Sequence, residues 1–505
     1  MSVHSQEKVV KNTVMYTAAT IAQKAISFVY FWVLSSHLAP SALGAYLGML
    51  SFASLASIGM DLGLTPLLTR QAAKQEDEAG LLLRATYAIK VPLVIATTAL
   101  LWLVMLTLSS LHVVTLTGTE WLLLGGASVI IALDAFTSGA YAILRAQQNV
   151  MVESRAIVLF QLTVLVTGCA SVFLTGNILL IMASLMTGSM VNTVYTLSRV
   201  RRLLGTSITP QADMPCIRTI LGMLPSFATA GIFTKVYQQA DVVLLRSLTD
   251  THTVGLYSIP AKITTALQSL IPGAFSAAVY PTLSNYAHTD RARLENLFRY
   301  TFGILFLLSL PVGAFLAILT PVLLAAVWPQ YRAVAPAMAA MLAVVPFLFL
   351  PYATGALLNA VGKERQTSRN RIIMTLVNVA INIALIPFFR ERGAAAAFVT
   401  ANVVLASLDI VAAHRIVSLR HPDVRRLVFG AVFSLIPSAG GLFLYVAWNN
   451  FIDISRGMRS FWYFGVAPLI AASLLYVVLL VVTKTVRTED VLRLKNMLMR
   501  QPEVV

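Results

Sequence analysis

Four lysines stand inside long apolar stretches of the chain: Lys24, Lys90, Lys235 and Lys262. An ammonium group at the centre of a bilayer costs roughly 2.5–3.5 kcal/mol on insertion scales, so each one needs a partner or a purpose. Lys24 falls about midway along its segment, Lys235 holds the equivalent place in a later one, and Lys262 lies towards one end of the next. No acidic residue shares the Lys24 segment. Lining a cavity therefore explains Lys24 and Lys235 better than internal pairing does, and Lys262 reads equally as a cavity or a structural charge. A cavity with such walls suits a multiply charged anion, because ammonium groups replace its lost hydration and attract it more strongly as the dielectric falls.

The remaining charges divide by depth. Lys90, Asp61, Arg246 and Asp409 lie near helix ends, where snorkelling or an interfacial ion pair is the plainer account. Asp241 and Asp134 read in two ways, as buried partners of a lysine or as carboxylates that couple a Na⁺ or H⁺ gradient, and the sequence leaves both open. Arg70, in Thr65-Pro66-Leu67-Leu68-Thr69-Arg70, reads as a contact for cytoplasmic headgroups or as a plain topology charge. Gln23, Tyr237, Gln238, Gln239 and Asn378 offer neutral donors, for ligand hydroxyls or for bonds between helices.

What positions these groups is a membrane. The 505 residues are 58% hydrophobic and 11% charged, with a mean hydropathy of +0.79, too apolar for a soluble domain. Segments of about 20 apolar residues, enough to cross a hydrocarbon core, recur near 13–34, 42–64, 85–111, 121–143, 155–175, 177–198, 217–245, 253–280, 298–320, 334–360, 368–388, 393–417, 427–447 and 460–483. That predicts an all-α integral membrane protein of fourteen transmembrane helices, the first of them uncleaved.

Lysine and arginine fix the expected orientation. With the N-terminus inside, 27 of them fall in cytoplasmic segments and 6 outside, the bias that membrane insertion imposes. Both termini are then cytoplasmic, in an inner membrane. The net charge of +16 is scattered over short loops, which is not the compact basic surface that nucleic acid requires. Cys169 and Cys216 fall in different environments, so neither a disulfide nor a metal site is expected. No GxSxG, HExxH or paired-histidine motif is present, and the short outer loops, with Glu120, Asp250, Glu391 and Asp453, hold no cluster fit for catalysis. The chain is expected to be no enzyme and to need no cofactor.

The sequence also repeats itself. Lys24 is followed by Leu43-Gly44-Ala45-Tyr46 at the same spacing at which Lys235 is followed by Val254-Gly255-Leu256-Tyr257. ILRAQQNVMVESR, ending at Arg155, likewise matches LLNAVGKERQTSR, ending at Arg369, at nearly the same offset. Two six-helix copies that both start inside are parallel repeats, related by an axis along the membrane normal, with the ligand between them. The expected divisions are 1–205, 206–420 and a C-terminal addition of two helices and a tail at 421–505.

GLTPLLTRQAAK, VGLYSIPAKI, YPTLSNYA and NAVGKERQTSRNRIIMTLVNVAINIALIP together resemble the Wzx-type polysaccharide-lipid flippases of the multidrug and oligosaccharidyl-lipid exporter superfamily. The resemblance runs the length of the chain in order, through loose motifs. It implies a two-lobed V-shaped fold, alternating access, and a lipid-diphosphate-linked oligosaccharide carried from the inner to the outer leaflet. Membrane lipids and that saccharide are the implied partners. A multidrug antiporter of the same superfamily would share the topology but want acidic groups and aromatic walls for organic cations. A non-transporting scaffold would pair all its central charges internally.

Overall fold

The computed structural model describes residues 3–418 and, beyond them, only Phe429, Val432, Gly440 and Tyr476; side chains are described from residue 19 onward, apart from 225–230. The helices expected over 427–447 and 460–483 and the tail lie outside the described residues. Each earlier expected segment coincides with a helix or a helix pair. Eight of the described helices are long and apolar enough to cross a membrane. The protein is a multi-pass membrane protein.

The chain forms two compact units, Met1–Ser258 and a second beginning at Ile259. The first contains α1 (Val3–His37), α2 (Pro40–Asp61), α3 (Leu64–Lys74), α4 (Ala79–Ser110), α5 (Gly118–Ala146), α6 (Val150–Leu174), α7 (Ile178–Leu204), α8 (Met214–Met223), α9 (Pro225–Leu248) and the first turns of α10 (Thr251–Gln268). By sequence repeat α9 begins the second copy, yet it packs along α2 and so belongs to this unit by contact.

Helix α2 stops where its charge is placed. Leu62 and Gly63 both take left-handed backbone, at φ 43° and 87°, which glycine adopts without the Cβ clash and leucine does not. The break turns the chain into α3, whose Leu64, Leu67, Leu68 and Ala72 are buried while Arg70 stays exposed. Asp61 is thereby left at a helix C-terminus, where the dipole disfavours a carboxylate. A cation must offset it, and α4 supplies one.

The second unit holds the rest of α10, a short π-helical stretch at Ser269–Gly273, α11 (Ala274–Thr289), α12 (Arg291–Val327), α13 (Ala335–Ala343), α14 (Val345–Ala360) and α15 (Glu364–His414). The last is two helices joined at Arg390, whose φ of 52° and ψ of −126° are not helical. That joint falls between the segments expected at 368–388 and 393–417. Its buried polar line includes Asn370, which donates to Asp409 at 2.7 Å, and Asn378, whose side-chain nitrogen has no partner among the described residues.

The two copies of the repeated turn have the same local construction. In the first, Gln148 is left-handed at φ 54° and its N–H reaches the Arg145 carbonyl; in the second, Gly362 is left-handed at φ 75° and its N–H reaches the Asn359 carbonyl. The side chains that follow also pair in register. Arg145 Nη2 meets Glu153 Oε1 at 2.5 Å, and Thr367 Oγ1 donates to Asn359 Oδ1 at 3.1 Å. One copy closes its turn with an ion pair and the other with a neutral hydrogen bond.

Candidate functional site

Four charged side chains converge inside the first unit. Lys90 on α4 is wholly buried, and its Nζ donates to Asp61 Oδ1 at 2.8 Å, the Ala135 carbonyl at 2.8 Å, Ser138 Oγ at 3.0 Å and Thr65 Oγ1 at 3.3 Å. An ammonium has three N–H bonds, so four acceptors occupy it fully. Thr65, one turn past the helix break, donates to the same Asp61 oxygen. The Asp61–Lys90 pair is thus closed upon itself and leaves little charge to offer a ligand.

Lys235 on α9 is different. It is half-buried, and its one hydrogen bond among the described residues goes to Ser57 Oγ on α2. That hydroxyl spends its own proton on the Ser54 carbonyl at 2.7 Å, so its lone pair is held towards the ammonium. Asp61 and Asp134 lie within electrostatic reach of Lys235 but make no ion pair with it, and Lys90 acts on it as a like charge. Among the described residues its other two N–H bonds have no acceptor.

Asp134, near the middle of α5, is exposed and accepts one hydrogen bond, from Ser189 Oγ on α7 at 3.1 Å. Below it Thr137 meets Thr193 at 2.8 Å and Tyr141 donates to Asn192 Oδ1 at 2.7 Å. These polar contacts set the rotation of α5 against α7. They also fix the side of α5 from which Asp134 projects.

The other residues singled out from the sequence fall elsewhere. Lys24 is exposed on α1. Lys262 is half-buried in the second unit. Asp241 is buried and accepts from the Tyr257 hydroxyl at 2.5 Å. Arg70 is exposed on α3. Among the described residues no group of three or more histidine, cysteine or acidic side chains is placed to hold a metal ion.

Sequence reasoning missed two partnerships, Asp61 with Lys90 and Glu120 with Arg246. The second is buried: Arg246 Nη2 and Nε reach Glu120 Oε1 at 2.5 and 3.1 Å, and Nη2 also reaches the Thr115 carbonyl at 2.8 Å. Thr117-x-x-Glu120 is legible as a capping box, and the structure forms it at the start of α5. A capping box marks a helix start but names no distant partner.

A bundle of membrane-crossing helices with a lysine held half-free between them defines a multi-pass membrane carrier. The chain belongs to the polysaccharide biosynthesis protein family, whose model matches residues 9–287. It is 28% identical over 165 residues to the probable flippase AglR of Haloferax volcanii, a match that covers 32% of this chain and 34% of that protein. The match therefore spans about a third of the relative's length.

Its fold is similar to that of the lipid II flippase MurJ in an inward closed conformation, with a TM-score of 0.70 at 14% identity, over 92% of this chain and 97% of the other. It is also similar to an inward-facing multidrug resistance transporter of the MATE family, with a TM-score of 0.62 at 17% identity over 78% and 94%. A transporter of the same superfamily from Pyrococcus furiosus gives 0.55 at 17% identity over 80% and 95%. At these identities the likeness shows the fold, that of the superfamily shared by MATE transporters.

Proposed function

We propose that the protein is a flippase that carries an anionic lipid-diphosphate-linked oligosaccharide from the cytoplasmic to the outer leaflet by alternating access, for cell-surface polysaccharide assembly. The observation that carries this reading is Lys235, a half-buried ammonium with one serine as its hydrogen-bond acceptor among the described residues. A diphosphate oxygen fits the two open N–H positions. Lys24 and Lys262 join Lys235 as candidate headgroup contacts, and Arg70 as a contact at the cytoplasmic surface. Family membership and the flippases among its relatives and structural neighbours support the reading.

The orientation belongs to the same proposal: an inner-membrane protein with both termini cytoplasmic, as the loop charges require. An anion leaving a negative-inside cell gains about 2.3 kcal/mol per charge per 100 mV, so the potential assists export. A Na⁺ or H⁺ coupled through Asp134 or Asp241 would serve to reset the empty carrier. The protein acts without catalytic chemistry.

The exposed Asp134 favours a second reading, a cation-coupled multidrug antiporter. Surface glycan in a flippase-deficient strain separates the two. Rescue by the wild-type protein and loss in Lys235→Ala supports the flippase; no rescue, together with extrusion of a cationic dye that Asp134→Asn abolishes, supports the antiporter.

A further inference from the structure

At the end of α2 away from Asp61, the backbone of α2 presses directly on α10. A methyl group on Gly44 would overlap the Thr251 carbonyl oxygen, and one on Gly255 would overlap the Pro40 carbonyl oxygen. These are the two glycines that the repeat makes equivalent, each pressed on the residue equivalent to the one four positions before itself. The contact is reciprocal, as a two-fold relation between copies demands. One turn further along α2, Gly48 lies under the Arg246 stem, where an added Cβ would stand 3.3 Å from Cγ and 3.7 Å from Cβ.

The Arg246 guanidinium then reaches Glu120, and each side chain of that pair is only 4% exposed. Glu120 divides its work, with Oε2 accepting from Thr117 N at 3.0 Å and Thr117 Oγ1 at 3.1 Å while Oε1 takes the arginine. Its carboxylate sits at the start of α5 and Arg246 in the last turn of α9, both favoured by the helix dipoles. Lys235 lies about 16 Å further down α9 at about 1.5 Å per residue, on the other side of this seam from the loops.

A buried ion pair is a poor static clamp, because the cost of stripping water from both ions nearly cancels their attraction. That near-balance suits a contact that parts and re-forms: on opening, both ions regain water. Glycine contacts likewise bury little side-chain area and interlock nothing.

We propose that Gly44, Gly48 and Gly255 with the Glu120–Arg246 pair form a latch that closes the outer end of the transport path, and that its parting exposes the Lys235 site to the outer leaflet. The inference rests on the orientation proposed above. It adds the residues that gate release.

A disulfide tests it. The 3.7 Å from a Cβ on Gly48 to that of Arg246 lies within the roughly 3.5–4.5 Å a disulfide spans. Gly48→Cys with Arg246→Cys, in a chain also carrying Cys169→Ala and Cys216→Ser, is expected to cross-link on oxidation and to give at least tenfold less surface glycan when oxidised than the same variant gives when reduced. A second readout needs no substrate: a cysteine at Ser57, labelled from outside by an impermeant maleimide, should react several-fold faster in Glu120→Gln. In the cross-linked chain it should not react at all. Quantitative cross-linking with undiminished export, failure of the disulfide to form, or Ser57→Cys labelling indifferent to Glu120→Gln would each overturn the latch. Absence of export in the wild-type chain would instead count against the flippase reading, and the labelling would still decide the latch.

Discussion

Lys90 Nζ lies 2.8 Å from Asp61 Oδ1, with the lysine wholly buried and the aspartate side chain one-third exposed. The two residues belong to α4 and to the broken end of α2, so the pair joins α4 to that break. Removing one partner of a buried pair leaves an uncompensated charge, at a cost of about 3–5 kcal/mol. Asp61→Leu, which strands the wholly buried Lys90 ammonium, should therefore lower the unfolding temperature in detergent markedly, and the Lys90→Met, Asp61→Leu double variant should recover most of it. Equal melting of single and double variants would show that the pair carries no such coupling.

On the proposed reading Lys235 holds its charge for a ligand, so its replacement should spare stability and remove transport. Lys235→Ala is expected to reach the membrane at wild-type level and to lose surface glycan at least tenfold. Lys235→Arg should recover part, because charge persists while geometry changes. Lys24→Ala, at an exposed position, should lower export less than Lys235→Ala. Full export in Lys235→Ala would end the cationic-site mechanism.

On the proposed reading Asp134 would compete with the anion for Lys235. Asp134→Asn should tighten binding of a soluble lipid-diphosphate analogue by roughly threefold to tenfold, about 0.7–1.4 kcal/mol. Titration of the purified protein measures this, and weaker binding would mean that Asp134 organises the site rather than opposing the ligand.

Gly44→Ala and Gly255→Ala each place a methyl on a backbone carbonyl oxygen, with no side chain able to move aside. Both should cost more than the roughly 1–3 kcal/mol of ordinary overpacking and lower the yield of folded protein. Gly222→Ala, at a glycine with nothing within 4 Å of its added Cβ, is the control. Similar yields for all three would contradict the close approach.

The loop charges fix a topology that labelling can check. In intact cells a cysteine at Thr175, in the exposed turn between α6 and α7, should react with impermeant reagents. One at Ser207, in the exposed stretch between α7 and α8, should not. The reverse pattern would invert the protein and with it the direction of transport.

The apolar segments and the repeated turn were legible in the sequence because each is a property of spacing along the chain. Twenty apolar residues mark a span whatever surrounds them, and the match of Gln148 with Gly362 is a match of local turns. Lys235 stood out for the same reason.

Only tertiary structure decided which charges meet. Depth does not fix rotation about a helix axis, and a partner depends on rotation. Lys90 reads by its place in the segment as a snorkelling or interfacial charge, yet it is wholly buried with its ammonium on Asp61 Oδ1 and the Ala135 carbonyl. Glu120 and Arg246 pair because the capping of α5 and the packing of α9 on α2 aim them at one another, and no periodicity connects them.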